Sequence, residues 1–575
     1  MLNDVELAHD PRRLSSCGTV EFAVRPIPTA RLAWLNRRWF LERGVDVSDE
    51  AIRSEIAEAL MNRYAVQSVA GSPDEKWLFE ADLYGATGGA DHGGSGRCGI
   101  FGGFNAKGIG RTPLVSDNVD AIHKTGLMSL AEAIREVIIS EICHSELPHG
   151  AVPILAVIDR GFAHSTVPNV PEERSAIVVR PNFIRPAHLE RSIFFGDAGA
   201  RTSHQYVDAS RVAEAARAVS RGAGVYPGVK QIFSRLAEQL GAALAYRLWP
   251  GRFLTSNLSI DGAFVDFGAF RAVPSWRRCL GLAGECFGSE TQQLRLGFAS
   301  VLYYYAKYAE GDELDFNVTE FYNALPNLVQ RAFLDACLEG LGVQRATFGE
   351  QPALEGLISA YYAQEQQMLE GDGPECGPST IYTILSGGDC DGSCPMEIRR
   401  AQELIAELDR LQSAGFPVSR SRSMVFFAPR TSLNFATFNA EVEEFTSGLT
   451  HENEVETSIA AFVEAQFFMA IRSWRHLDPE LEVIRYATDV VSSVLVCRDP
   501  GDGAVSLHLE GPFLTGHLHV LGGVLSPDAL ATPLSVEAGR AWFRQPLADL
   551  GQVAPVLNGL GIDSDRQLRR FGGSA

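Results

Sequence analysis

The stretch FLTSNLSIDGAFVDFGAF, residues 253–270, places Asn257 and Asp266 nine positions apart. Short strands joined by a tight turn are expected here, with Asn257 on one arm and Asp266 on the other. An amide oxygen and a carboxylate so placed can share one Mg²⁺ that bridges the oxygens of a triphosphate. A helix precedes this stretch and Asp-Phe-Gly follows the Asn, which is the order of a kinase catalytic loop and its metal-binding strand. The tripeptide alone is common by chance. Its distance from a preceding Asn is what makes it informative.

Further toward the N-terminus, three more elements fit the same ligand. Residues 84–110, YGATGGADHGGSGRCGIFGGFNAKGIG, are dense in glycine, which suits tight turns and close approach of backbone to a ligand. Within them, Gly94-Ser95-Gly96-Arg97 offers main-chain N–H groups to phosphate oxygens and adds a forked cation. Lys107 follows Arg97 by ten residues, a spacing that lets a returning strand bring an ammonium beside the same loop. Glu136 lies on a helix expected from Ser129 to about Leu147. There Ser129 and Glu132 stand at capping-box spacing, and Ile134, Ile138 and Ile142 recur on one face. A helix carboxylate that aims a strand lysine at phosphate is the kinase arrangement. Each element also has a plainer reading: a structural hairpin for the glycines, solvated surface charges for Lys107 and Glu136. His92, beside Asp91, reads as a turn histidine, with substrate contact as the alternative.

Together these strings resemble the selenoprotein O family of protein-kinase-like pseudokinases. GSGR, KGIGRTP, AIREVIISE, VVRPNFIR, SNLSI and VDFGAF keep the family's order, and VRPIPTARLAWLN looks like its N-terminal pattern. The likeness spans roughly residues 20–310. It implies an α+β chain with a two-lobed protein-kinase-like fold. It also implies that Gly94, Gly96, Arg97 and Lys107 contact phosphates and that Glu136 positions Lys107. By the same resemblance Arg180 and Arg185 bind the triphosphate from the opposite lobe, and Asn257 and Asp266 hold Mg²⁺ or Mn²⁺. In this family ATP lies flipped relative to ordinary kinases, and AMP passes to a protein hydroxyl. One departure touches the chemistry directly: the family's proton-accepting Asp, just before the metal Asn, is replaced by Ser256. A serine hydroxyl is no general base near neutral pH, and such help is worth roughly 10²–10⁴-fold in rate. A family Asp-Gly contact has only Asp117-Asn118 as its counterpart.

Composition narrows the partners. Against 50 Lys and Arg stand 71 Asp and Glu, a formal charge of −21, which disfavours nonspecific binding to nucleic acid or anionic membrane. No run approaches the roughly 20 apolar residues of a membrane span. The opening MLNDVELAHDPRR carries no secretory pattern, so a cytoplasmic location is expected. Ten cysteines fit a reduced compartment as small buried residues. Cys376, Cys390 and Cys394 cluster without a nearby histidine and read as loop thiols, with metal binding as the alternative.

The chain is expected to divide into an N-terminal lobe (1–190), a mainly helical lobe with the metal loop (191–370), a linker or long loop (371–394) and a mixed α/β extension of unknown role (395–575). Helices are expected in SDEAIRSEIAEALMNRYAV, over Val229–Tyr246, and over Ser289–Ala309 with Ser289 as cap. Two more follow in MEIRRAQELIAELDRL and SIAAFVEAQFFMAIRSW. VPILAVIDRG and SAIVVRPNFI read as a strand pair, and SSVLVC and GHLHVLGG as later strands. The expected activity is ATP- and Mg²⁺- or Mn²⁺-dependent adenylyl transfer to a hydroxyl of a protein or peptide acceptor, centred on Lys107, Glu136 and Ser256. Two alternatives stand beside it: an ATP-dependent maturation factor for one peptide, such as a microcin, and a nucleotide-bound scaffold without catalysis. Ordinary γ-phosphoryl transfer is disfavoured, because no H-R-D-type loop is present.

Overall fold

The structure, a computed structural model, describes residues 9–470 except 70–76, 86–92, 116–123, 165–172, 193–200, 223–224, 282–284, 311–315, 344, 371–377, 391–392, 417, 419–422, 424–425, 431–432 and 450–454, and beyond them only the backbone of strands between 482 and 525. It is a mixed α+β protein built on a large antiparallel sheet. The strands are β1 (Thr19–Pro26), β2 (Arg31–Leu35), β3 (Val66–Ser68), β4 (Leu78–Asp82), β5 (Cys98–Phe101), β6 (Phe104–Lys107), β7 (Ala156–His164) and β8 (Glu173–Pro181). They lie in the order β2-β7-β8-β6-β5-β4-β1-β3. Ala176 and the β-branched run Ile177-Val178-Val179 of β8, which lies between β7 and β6, are fully buried because Ala176 and Val178 enter one apolar core and Ile177 and Val179 another. Lys107 ends β6 opposite Cys98 on one side and Val178 on the other.

Helix α1 (Glu50–Tyr64) starts at Asp49, whose carboxylate accepts from the Ala51 and Ile52 amides, and it buries Ile56, Leu60 and Tyr64. Helix α2 (Leu130–Glu146) starts at Ser129, whose hydroxyl accepts from the Glu132 amide at 3.0 Å. Its Ile134, Ile138 and Ile142 are fully buried, and so are Glu136 and Glu146. Further helices follow: α3 (Arg201–Arg221), α4 (Val229–Ala245), α5 (Glu290–Tyr308), α6 (Val318–Gly340), α7 (Pro352–Glu365), α8 (Thr380–Leu385), α9 (Pro395–Ser413), α10 (Phe435–Ser447) and α11 (Val455–Ala470). Helices α4 and α6 cross closely at Gly241, where a Cβ would lie 2.4 Å from the Val329 carbonyl oxygen.

The last two helices, α10 and α11, pack on α2. The segment leading to them is tied down by charge: Arg430 meets Glu146 with both side chains fully buried. Arg247 donates through Nη2 to the Phe426 and Ala428 carbonyls at 2.6 and 2.9 Å. Arg247 does so from a left-handed backbone, φ 57°, a conformation that costs an L-residue roughly 1–2 kcal/mol. One apolar core runs from Ile358 and Tyr361 on α7 into Leu404 and Leu408 on α9. Strands Glu482–Tyr486, Ser493–Arg498, Val505–Glu510, Gly516–Leu521 and Val524–Leu525 form a separate antiparallel meander.

Two local expectations change. Short strands do bracket the stretch, Leu248–Trp249 pairing antiparallel with Arg271–Ala272, but Asn257 and Asp266 themselves lie on neither. Thr255–Asn257 is one turn of 3₁₀-helix, and the hairpin reduces to a single bridge between Leu258 and Phe264. The cause is local: the Asn257 amide bonds back to the Leu254 carbonyl at 2.8 Å, closing a turn where a strand would extend. Ser289 does stand before α5, but its hydroxyl donates to the Cys286 carbonyl at 2.6 Å instead of accepting from the helix. No described helix is long and apolar enough to cross a membrane.

Candidate functional site

The glycine loop is held from both sides by main-chain bonds. The Ser95 amide donates to the Asp82 carbonyl at 2.9 Å, and Gly94 bridges to Leu83. A Cβ on Gly94 would lie 2.1 Å from the Asp82 carbonyl oxygen, so no side chain fits there. On the far side, Thr112 donates its amide to the Gly96 carbonyl at 3.0 Å and its hydroxyl to the Ser95 carbonyl at 2.7 Å. The Gly108 amide reaches the Arg97 carbonyl at 2.9 Å. The strings GSGR and KGIGRTP are thus one structural unit.

Beside this loop, cations and carboxylates converge. The Lys107 side chain is only 3% exposed. Its ammonium donates to Glu136 Oε1 and lies 3.8 Å from Asp266 Oδ1 and 3.9 Å from Glu132 Oε1. Arg97 grips Glu132 with both Nη atoms, at 2.8 and 3.3 Å. Glu136 is fully buried, and its Oε2 has no hydrogen-bond partner among the described residues. Asp266, in contrast, keeps 41% of its side chain exposed. The positive charge of Lys107 holds its carboxyl well below the usual carboxylate range, against desolvation and with help from Arg97. The Gly268 amide donates to Asp266 Oδ1 at 3.1 Å, and the Gly268 carbonyl accepts from both Nη atoms of Arg135, each at 3.1 Å.

Asn257 joins Asp266 through the backbone, because the Val265 amide donates to the Asn257 carbonyl at 3.0 Å. The Ser256 hydroxyl lies 3.4 Å from Asn257 Oδ1. Arg180 and Arg185 brace this hairpin from the sheet side: Arg180 Nη1 donates to the Val265 carbonyl at 2.9 Å, and Arg185 Nη1 donates to the Ser256 carbonyl. The Arg185 guanidinium also lies over the ring of Tyr84, at 4.8 Å, and over that of Phe183, at 4.7 Å. Behind it, His188 accepts the Arg185 amide on Nδ1 and so donates through Nε2 to Asp82, 3.2 Å away. Burial lowers the His188 pKa. Burial pushes Asp82 the other way, but the His188 bond and the Arg185 charge bring it down to about 2. With both ring nitrogens engaged, this dyad is a brace and not a base.

The structure therefore brings Arg97, Lys107, Glu136 and Asp266 into one cluster. It places Asn257 and Ser256 on the adjoining turn, and Arg180 and Arg185 beneath that turn. Sequence reasoning missed two residues. Glu132 reads as a capping residue, although its i,i+4 spacing to Glu136 puts both acids on one helix face. For Arg135 no local pattern marks a contact with Gly268. Cys390 and Cys394 are partly exposed. Cys376, Asp91, His92, Asp117 and Asn118 lie outside the described residues. No family model matches this chain, and no curated protein matches it.

Proposed function

We propose that this chain is an ATP-binding, protein-kinase-like nucleotidyltransferase of two lobes, which moves AMP to a hydroxyl of a protein or peptide. One observation carries the reading: a strand lysine, Lys107, buried against a helix glutamate, Glu136, with the Asp-Phe-Gly carboxylate of Asp266 3.8 Å from the same ammonium. Such an ammonium, aimed by a fixed carboxylate, is suited to hold phosphate oxygens. The reading is further supported by the glycine loop, whose backbone stands beside Arg97 and Lys107.

A divalent cation fits the residues present. Asp266 is ionised and open on one side, and Asn257 stands on the turn whose backbone bonds to Val265, the residue before Asp266. Asp266 and Asn257 would hold the ion, which when bound offsets phosphate charge. The chain's own residues do the positioning. Lys107 and Arg97 draw the phosphates toward β6, Glu136 keeps Lys107 in place, and Arg135 fixes the Asp266 loop through Gly268. The acceptor oxygen attacks the α-phosphorus and pyrophosphate leaves. The flipped nucleotide that exposes the α-phosphorus is taken from the family resemblance. Ser256 supplies no base, so the acceptor proton passes to solvent or phosphate and turnover is slow. Transfers of this kind depend mostly on positioning and charge stabilisation, which is why Ser256 does not forbid the reaction.

Product analysis tests the reading. Full-length protein, ATP, Mg²⁺ and an acceptor extract are expected to yield pyrophosphate. Formation of ADP without pyrophosphate overturns adenylyl transfer. A scaffold, favoured by Ser256, releases neither product while still binding ATP.

A further inference from the structure

Two cations of the cluster, Arg97 and Lys107, face three carboxylates, those of Glu132, Glu136 and Asp266. Two of the carboxylates have clear tasks in the reading above: Glu136 orients Lys107, and Asp266 faces the metal position. Glu132 has none, yet it takes both Nη atoms of Arg97 and lies 3.9 Å from the Lys107 ammonium. At N3 of α2 its carboxylate could close a capping box on the Ser129 amide. It points to Arg97 instead, while the Ser129 hydroxyl still caps the Glu132 amide. Arg97 retains only 16% of its side-chain exposure, and the two-Nη edge of its fork is taken by Glu132, so that edge is not free for bidentate contact with a phosphate while the pair lasts.

We propose that Glu132 is an internal competitor for the phosphate-binding cations. It occupies Arg97 in the empty site and must be displaced when a nucleoside triphosphate enters. The proposal rests on the nucleotide-binding reading and adds to it a residue that sets affinity. The competition is electrostatic. With Glu132 in place the cluster is net acidic and resists a free polyanion, so binding depends strongly on a divalent cation that brings compensating charge. Removing the Glu132 charge leaves the cations matched to the remaining acids and frees the Arg97 fork for bidentate contact with phosphate.

Isothermal titration of the full chain with ATP, with and without Mg²⁺, tests this on wild type, Glu132→Gln, Glu132→Ala and Lys107→Met. Both Glu132 variants keep good helix formers at an N-terminal helix position, so either one that melts cooperatively decides the matter. The expected result is ATP bound roughly tenfold more tightly by the Glu132 variants, the size of one charge-assisted contact exchanged, with the larger gain in the absence of Mg²⁺. Unchanged or weaker binding in the Glu132 variants, while wild type binds and Lys107→Met does not, overturns the competitor and leaves the nucleotide site standing. Loss of binding confined to Mg²⁺-containing buffer makes Glu132 a metal ligand and likewise overturns it. If no variant and no wild type binds ATP at all, the nucleotide reading falls and the competitor with it.

Discussion

Lys107 and Glu136, 29 residues apart in the chain, meet as a buried ion pair where the end of β6 faces α2. Neither charge has open water around it, and Glu136 leaves one oxygen without a partner among the described residues. Removing one partner of such a pair strands the other, at a cost of about 3–5 kcal/mol. Lys107→Met is therefore expected to lower stability by about 3 kcal/mol and to abolish ATP binding. In Lys107→Met/Glu136→Gln most of the stability returns and the binding does not. Urea unfolding beside nucleotide titration separates the two effects.

Gly94 marks where the loop touches its support. A methyl group there would lie 2.1 Å from the Asp82 carbonyl oxygen, too close for any adjustment short of moving the backbone. Gly94→Ala is expected to destabilise the chain by about 2 kcal/mol and to weaken ATP binding more than tenfold. Binding that survives unchanged means that the loop backbone does not touch the ligand.

Arg135 reaches across from α2 to the Gly268 carbonyl with both Nη atoms. This residue acts on Asp266 through the backbone, so its loss should disturb geometry more than affinity. Arg135→Ala is expected to lower kcat about tenfold, with a change in stability below about 1 kcal/mol. A larger rise in KM than fall in kcat contradicts a positioning role.

Two buried acids predict how stability varies with pH. Burial raises Glu365 to about 7 in spite of its bonds from the Tyr361 hydroxyl and the Trp276 amide, and it raises Glu290 to about 7 as well. Both folded values lie above the ordinary 4.5. Their contribution is thus complete below the unfolded value and is lost as pH rises through 7. His188, lowered by burial, acts in the opposite sense below its ordinary pKa, so the comparison with a variant is what isolates the acids. The urea midpoint of wild type should fall between about pH 5.5 and about pH 8, and Glu365→Gln should flatten that fall. Identical slopes in the two proteins contradict the assignment.

How much of this was legible in the sequence depended on the range of the interaction. Helix α2 could be read from its Ser129 cap and its i+4 isoleucines, and β7 and β8 from their β-branched runs, because those signals are local. Lys107, Glu136 and Asp266 could be brought together only through the order of several motifs, since no periodicity links a strand, a helix and a turn so far apart. The turn at Asn257 was misread as strand because its alternating apolar residues fit either state, and one bond to Leu254 decides between them. Glu132 was hidden by having a sufficient local explanation as a capping residue. Arg430 and Glu146 lie 284 residues apart, and their burial depends wholly on how distant helices pack.

The central claim is that Asp266 and Lys107 organise an ATP–metal complex for transfer of AMP. The most direct test incubates purified full-length protein with Mg²⁺ or Mn²⁺ and ATP labelled in turn at the α- and γ-phosphorus, beside the Asp266→Ala variant and in the presence of candidate acceptors. The account predicts protein-bound label from α-labelled ATP alone, absent in Asp266→Ala. Label from the γ-position, or α-label undiminished in Asp266→Ala, contradicts it.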